Sequence, residues 1–238
     1  MKGRLDARLT QLKLTPTRSQ AESVIRLGEV TVNGQVITKP GHFVSDSDTV
    51  RLKDKQRYVS RAGLKLASVA DRLNVRFEDS VVLDVGSSTG GFTDFALRNG
   101  ARKVFAVDVG TEQLHPSLRR DTRIELHEQT DIRNFVPSET PDIVVMDVSF
   151  ISLREILPHI ASIAGKDTLI VAMLKPQFEA GREQVNKGVI KNDSIRRQIL
   201  RDFEQWSKQF FTIADKADSD VTGAKGNRER FYLLRLII

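Results

Sequence analysis

From Arg4 to Leu27 the apolar residues Leu5, Leu9, Leu12, Ala21, Val24, Ile25 and Leu27 recur at steps of three and four, interrupted by Thr15-Pro16-Thr17-Arg18. Residues so spaced share one face of a helix, so the pattern predicts two short helices with a turn between them. Thr17 or Ser19 can cap the second helix, and Gly28 is placed to end it. Val30–Ile37 reads as strand, turn, strand about the hairpin dipeptide Asn33-Gly34, and Thr49–Leu52 as a further strand. The charged stretch Lys53–Arg57 has no apolar period and reads as a linker. This predicts a small domain over residues 1–57, built of helices and strands, and a larger one over 58–238.

The larger part alternates two patterns. Val81–Val85, Val104–Val109, Ile124–Leu126, Ile143–Val148 and Leu169–Leu174 are short, nearly continuous apolar runs, as strands buried on both faces of a parallel sheet require. Helical spacing occupies Tyr58–Leu73, Phe92–Arg98, Leu153–Ile163 and Ile195–Phe210. Phe211–Ala214 and Phe231–Ile238 follow with no helix between them, which predicts a hairpin at the edge of the sheet. The predicted class is therefore α/β, a doubly wound Rossmann-like sheet with an antiparallel edge, preceded by a small α+β module.

The 238-residue composition, 39% hydrophobic and 29% charged, is that of a globular chain. No apolar run approaches the ~20 residues of a membrane-spanning helix, and a cytoplasmic protein is the expectation. With no cysteine, disulfides, thiolate metal sites and thiol nucleophiles are excluded. His42, His115, His127 and His159 lack ligand-like spacing, and no metal is expected. The net charge of +6 is carried wholly by Met1–Arg61, with 12 Lys/Arg against 6 Asp/Glu, while the remainder balances at 25 against 25. A basic module on a neutral body suits a polyanion, because cationic side chains gain by displacing counterions from phosphates. Arg4, Arg8, Arg18 and Arg26 are its candidate RNA contacts.

The first long strand runs through Asp84 into a glycine-rich turn, Gly86-Ser87-Ser88-Thr89-Gly90-Gly91-Phe92, that opens a helix, and the second ends at Asp108-Val109. An acid about 20 residues past such a turn can accept hydrogen bonds from both ribose hydroxyls of a nucleoside cofactor. A dinucleotide fingerprint needs a glycine where Ser88 stands, so that backbone can approach the pyrophosphate. S-adenosylmethionine has no phosphate, and its amino acid end could be held by Asp84 or by the turn's backbone. The spacing favours S-adenosylmethionine. Asp131, after the third strand, either accepts from an adenine amino group or caps a helix.

Asp147 and Lys175 stand at the carboxyl ends of the fourth and fifth strands, where ligands of open α/β sheets bind. Lys175 emerges from Ala172-Met173-Leu174, where its ammonium would be partly desolvated and could accept or steer a hydroxyl proton. Lys65, before the first strand, and Glu229, at the start of the last, are further candidates, each otherwise an ordinary surface charge.

Four ordered motifs carry a family resemblance: Tyr58-Val59-Ser60-Arg61-Ala62-Gly63-Leu64-Lys65-Leu66, Asp84 through Asp94, Met146-Asp147-Val148-Ser149-Phe150-Ile151-Ser152 and Leu174-Lys175-Pro176-Gln177-Phe178-Glu179. Together they resemble the TlyA, or hemolysin A, family, whose catalytic domain is similar to the FtsJ/RrmJ ribose 2′-O-methyltransferases. The N-terminal module looks like the alpha-L RNA-binding domain shared by a small-subunit ribosomal protein, pseudouridine synthases and tyrosyl-tRNA synthetases. The resemblance implies a Lys-Asp-Lys-Glu tetrad, filled here by Lys65, Asp147, Lys175 and Glu229. It implies S-adenosylmethionine as cofactor and ribosomal RNA in ribosomal subunits as substrate. Lys175 would deprotonate or steer the ribose 2′-hydroxyl, and the other three would hold the substrate and tune that lysine. Glu229 lies among Arg228 and Arg230, which could equally grip phosphates.

Three other readings compete, and a fourth, cytosine C5 methylation, is excluded by the missing cysteine. An exocyclic-amine methyltransferase would carry two prolines after Asp147, where Val148 and Ser149 stand, and would give two lysines nothing to do. A membrane-active hemolysin should show spanning or strongly amphipathic surface segments, and a non-catalytic RNA-binding protein could keep the fold without the reaction.

Overall fold

A computed structural model of the chain describes residues 2–26, 28–52, 58–185, 188–223 and 226–237. They divide into two compact units, Met1–Arg57 and Tyr58–Ile238. Leu27, Ile238 and the linker expected at Lys53–Arg57 lie outside the described residues.

In the small unit the helical spacing becomes α1 (Leu5–Gln11) and α2 (Arg18–Arg26). Leu5, Leu9, Ala21 and Ile25 are fully buried against Val30, Val32, Val44 and Val50. Thr17 Oγ1 accepts from Gln20 N at 3.2 Å as the cap of α2, and Ser19 lies within the helix. Strands β2 (Val30–Val32), β3 (Gln35–Val36) and β5 (Val50–Leu52) form one antiparallel sheet in the order β3-β2-β5. Asn33 and Gly34 both take positive φ, 52° and 81°, the conformation a two-residue hairpin turn requires. A second pair, β1 (Gly3–Arg4) with β4 (Phe43–Val44), was not expected, since two-residue strands carry no period.

The large unit opens with α3 (Arg61–Ala70), shorter than the apolar pattern of Tyr58–Leu73. It continues through β6 (Val81–Val85), α4 (Gly91–Arg98), β7 (Lys103–Val107), β8 (Ile124–His127), β9 (Ile143–Met146), α5 (Leu153–Ile163), β10 (Leu169–Leu174), α6 (Pro176–Glu179), α7 (Asp193–Ser207), β11 (Phe211–Asp218) and β12 (Arg230–Leu236). Asn192 caps α7 through Ser194 N, so that helix begins two residues before the expected Ile195. The sheet order is β11-β12-β10-β9-β6-β7-β8, parallel except for β12, which is antiparallel to both neighbours. Alternate residues face opposite layers, as the pleat dictates. Val82, Val104, Val145, Val171 and Met173 pack with Leu66, Val69, Phe92 and Phe95 of α3 and α4, while Leu83, Val85, Phe105, Val107 and Met146 pack with Ile156, Leu157, Leu200 and Phe203 of α5 and α7. The strand order reverses between β6 and β9, so their carboxyl ends flank a crevice.

Candidate active site

That crevice holds two adjoining recesses. The larger, about 490 Å³, has apolar walls from Val85, Val107, Val109, Ile132, Ile151 and Ile156, with the polar groups Asp108, Thr130 and Asp131 facing in. The smaller, about 140 Å³, is lined by Ser60, Ala62, Asp84, Gly86 to Thr89, Phe92, Asp147, Ser149 and Lys175.

The glycine-rich turn is pinned from both sides. Gly86 N and Ser87 N donate to Val107 O at 2.9 and 3.2 Å, and Ser88 N donates to Asp108 Oδ2 at 2.8 Å. Asp108 Oδ1 accepts from Gly110 N at 2.7 Å, so this carboxylate ties the end of β7 to the turn while facing the larger recess. Gly90, at φ 91°, caps α4, whose first turn, with Gly91 and Phe92, is buried. Asp131 takes the cap of its two readings: Oδ1 caps the short helix Ile132–Asn134 through Arg133 N, and the residue also lines the larger recess. The Arg133 guanidinium holds the Asp131 carboxyl below its ordinary range.

Asp84 is fully buried at the end of β6, and its Oδ2 accepts from Thr93 Oγ1 at 2.6 Å. Burial pushes its carboxyl up to about 7, against the opposing Thr93 hydrogen bond, with the nearby charge of Asp147 adding to the rise. Asp84 Oδ1 and Ser87 Oγ are both buried without a partner. Orphaned polar atoms of this kind are costly unless a ligand completes them. S-adenosylmethionine fits the donor set: Asp84 would hold an α-ammonium, Ser87 and the turn a carboxylate, and the apolar recess with Asp108 an adenosine.

The tetrad positions resolve into two ion pairs. Lys175 Nζ lies 2.6 Å from Asp147 Oδ1 and donates to Ser149 Oγ at 2.7 Å. Lys65 Nζ lies 2.5 Å from Glu229 Oε2, with both residues buried. The antiparallel register ends at Met173↔Phe231, Leu174↔Arg230, so Lys175 and Glu229 each stand one residue beyond it at the same end of the sheet, while Lys65 and Glu229 line neither recess. Lys65 is aimed there because α3 crosses α4 at two glycines: a Cβ on Gly63 would lie 2.8 Å from Gly91 O, and one on Gly91 would lie 2.8 Å from Gly63 N. Asp94 fastens the same junction by accepting from Val59 N at 2.8 Å. Of the arginines beside Glu229, Arg230 bonds Asp218 at 2.6 Å, whereas Arg228 stays 60% exposed and reaches the same carboxylate only at 3.9 Å.

In the small unit Arg4 and Arg18 converge on the fully buried Asp6, at 2.7 and 3.1 Å. The hydrogen bond from Arg4, with further bonds from Ala7 N and Arg18, holds the Asp6 carboxyl down at about 2 against its burial. Arg8 is turned inward to Gln11 and Asp46, and Arg26 stands exposed beside Glu22. Sequence reasoning left out Thr93, Ser149 and Glu179. All three lie inside the quoted motifs, which was the only signal available.

Among the described residues no helix is long and apolar enough to cross a membrane, and no cluster of three or more potential metal ligands occurs. Residues 3–50 match the S4 domain and residues 58–236 the FtsJ-like methyltransferase family. The chain is 36% identical to a Mycobacterium tuberculosis protein named 16S/23S rRNA (cytidine-2′-O)-methyltransferase TlyA, covering 98% of this chain and 90% of that protein. It is 39% identical to Hemolysin A of Brachyspira hyodysenteriae, over 99% of this chain and all of that protein. A solved structure from Streptococcus thermophilus, provisionally named a hemolysin, superposes with a TM-score of 0.77 at 40% identity, over 99% of this chain and 88% of that one. With three quarters of its length matched and whole-chain relatives at this identity, the chain belongs to the FtsJ-like methyltransferase family.

Proposed function

We propose that this protein transfers the methyl group of S-adenosylmethionine to a ribose 2′-hydroxyl of ribosomal RNA. The observation that carries the reading is Lys175 Nζ, held by Asp147 on the wall of the recess that also contains the orphaned Asp84 and Ser87 atoms. A nucleophilic oxygen with its proton acceptor would therefore stand beside the methionine end of the cofactor. Bound there, S-adenosylmethionine would supply a methyl group already activated by its sulfonium.

The residues of the chain do the rest. Lys175 Nζ takes or steers the proton of the 2′-hydroxyl, Asp147 holds that amine in place, and the Lys65–Glu229 pair stands fixed at the same end of the sheet. Because the methyl is already activated, placing the oxygen supplies much of the acceleration. The exposed ring of Phe150, 5.1 Å from Phe178, offers a flat face to an unstacked base at the mouth. In the small unit Arg4, Arg18 and Arg26 keep exposed guanidinium surface for phosphates, which fits the S4 match and the charge of this segment. Arg8 contributes less, being paired and four-fifths buried.

The test incubates the purified protein with labelled S-adenosylmethionine and unmodified ribosomal subunits, then digests the RNA and identifies the methylated nucleoside by mass spectrometry. A 2′-O-methylated nucleoside that disappears with Lys175→Ala is expected. A base-methylated product, or product formation indifferent to Lys175, refutes the reading.

A further inference from the structure

A lysine ammonium has three hydrogens to place. For Lys175 one direction is filled at short range by the hydrogen bond to Ser149 Oγ at 2.7 Å, while Asp147 Oδ1, 2.6 Å away, is an ion-pair partner that lacks hydrogen-bond alignment. The other hydrogen bond, to the carbonyl of Asp147, is 3.5 Å long, at the limit for such a bond. Ser149 is thus the short, aligned acceptor at the nitrogen, and the long bond to the Asp147 carbonyl is the one an incoming group could replace.

We infer that Ser149 is a positioning residue for the methyl transfer, its hydroxyl fixing the direction in which Lys175 faces the substrate oxygen. The inference rests on the ribose-methylation reading and deepens it. A four-carbon side chain held at its tip by a single carboxylate can still pivot about that contact. An aligned hydrogen bond to Ser149 added to that ion pair fixes the rotation of the amine and with it the direction it presents. Ser149 lines both recesses, so its oxygen stands where they meet. Among the described hydrogen bonds Ser149 Oγ makes one, with Lys175, whereas a serine that merely shapes a loop bonds its own backbone.

The loop bearing Ser149 is itself fastened. Glu179 accepts from Ser152 Oγ at 2.6 Å and from Leu153 N at 2.7 Å. It ends α6, the single turn that starts directly after Lys175. The chain therefore leaves the site at Lys175, turns once, and returns to grip the far end of the Asp147–Ser152 loop. Both segments that meet at Nζ are closed into one ring, which makes a loss of the Ser149 hydroxyl a local change and not a collapse of the loop.

The test compares full-length wild type, Ser149→Ala, Ser149→Thr and Lys175→Ala on unmodified ribosomal subunits, with kcat and KM for S-adenosylmethionine measured separately and cofactor Kd by calorimetry. Ser149→Ala should lose about tenfold or more in kcat, with cofactor KM and Kd within about twofold of wild type, because orientation and not binding is lost. Ser149→Thr, which keeps a hydroxyl, should return to within about threefold of the wild-type rate. An Ala variant at full rate overturns the inference, as does a Thr variant no better than Ala. A rate loss matched by an equal loss of cofactor affinity also overturns it, by making Ser149 a cofactor contact. If wild type itself gives no ribose-methylated product, the reading beneath it fails first, before any variant is compared.

Discussion

Replacing Asp84 by asparagine should stabilise the protein without cofactor at neutral and alkaline pH, and weaken its hold on the cofactor. The carboxyl is fully buried, and its value of about 7 lies roughly three pH units above the ordinary 3.8. At 1.36 kcal/mol per unit, ionising it in the folded state costs about 4 kcal/mol. Since the folded value is raised above the unfolded one, the stabilisation from this group is fully present below about pH 4 and is lost as pH rises to about 7. The asparagine amide cannot ionise, and its oxygen can still accept from Thr93, so the variant escapes that loss. The difference in unfolding free energy, variant minus wild type, should climb from near zero at about pH 4 to about 4 kcal/mol at about pH 8. Urea unfolding followed by fluorescence of Trp206, the single tryptophan and part of the large unit, reads this difference. Carboxyls held low by partners, such as Asp131, Glu125 and Asp218, titrate alike in both proteins and cancel. An ammonium seated beside Asp84 would draw it to the charged form, so cofactor binding below about pH 7 should release a proton, seen by calorimetry in buffers of different ionisation enthalpy. The Asp84→Asn variant should bind the cofactor about tenfold or more weakly. A stability difference that is flat with pH, or a variant that binds as wild type does, would refute the reasoning.

Three further outcomes follow from the same geometry. Lys65→Met strands the Glu229 carboxylate, whose side chain is 3% exposed, and should cost about 3–5 kcal/mol in thermal unfolding, most of it recovered by adding Glu229→Gln; a single variant as stable as wild type would show the pair to be solvated. Asp108→Ala removes the acceptor shared by Ser88 N and Gly110 N, and calorimetry should show cofactor affinity down by about tenfold or more with the fold intact; unchanged affinity would mean that the two bonds to Val107 O suffice for the turn. Asp6→Asn should raise hydrogen exchange across α1 and α2 in the full chain, corresponding to roughly 1–2 kcal/mol once the exposed ends of Arg4 and Arg18 are discounted for solvent. Because the folded value of Asp6 is depressed to about 2, that contribution is present above about pH 4 and fades as pH falls toward about 2; protection that does not change in the variant would count against it.

How far the sequence could be read depended on whether a feature is local. Val81–Val85 and Leu169–Leu174 were legible because strands covered on both faces are nearly continuous apolar runs, and a charged residue within or just after such a run, Asp84 or Lys175, stands out by contrast. The edge strand was harder. β11 runs on to Asp218, past the expected Ala214, through Asp215 and Lys216, because its ladder with β12 and not its own hydrophobicity defines it, with a register shift between Ile213 and Asp215. The Arg4–Asp6–Arg18 cluster spans a helix and a turn, and no periodicity links its members, so its arginines were visible as free charge and not as partners of one buried carboxylate.

The division of the four candidate polar residues into two pairs marks the limit most clearly. Each is a common charge in isolation, and which lysine meets which acid is decided by two long-range facts: α3 approaching α4 at Gly63 and Gly91, and the β10–β12 register. A one-residue slip of that register would turn Glu229 to the other face of the sheet and strand Lys65. The register is held by Phe231, Tyr232, Leu233 and Leu234, which alternate between the two cores, so the apolar pattern of the last strand does specify the site, but only through a pairing that no single segment displays. Ser149 and Glu179 escaped for the same reason. A hydroxyl and a carboxylate on loops have ordinary identities, and their roles come from the bonds that the sheet's geometry brings within reach. Residues whose function is to aim another side chain leave little trace in composition or spacing, and in this fold they are found by asking which atoms fill the directions around a charged group that does.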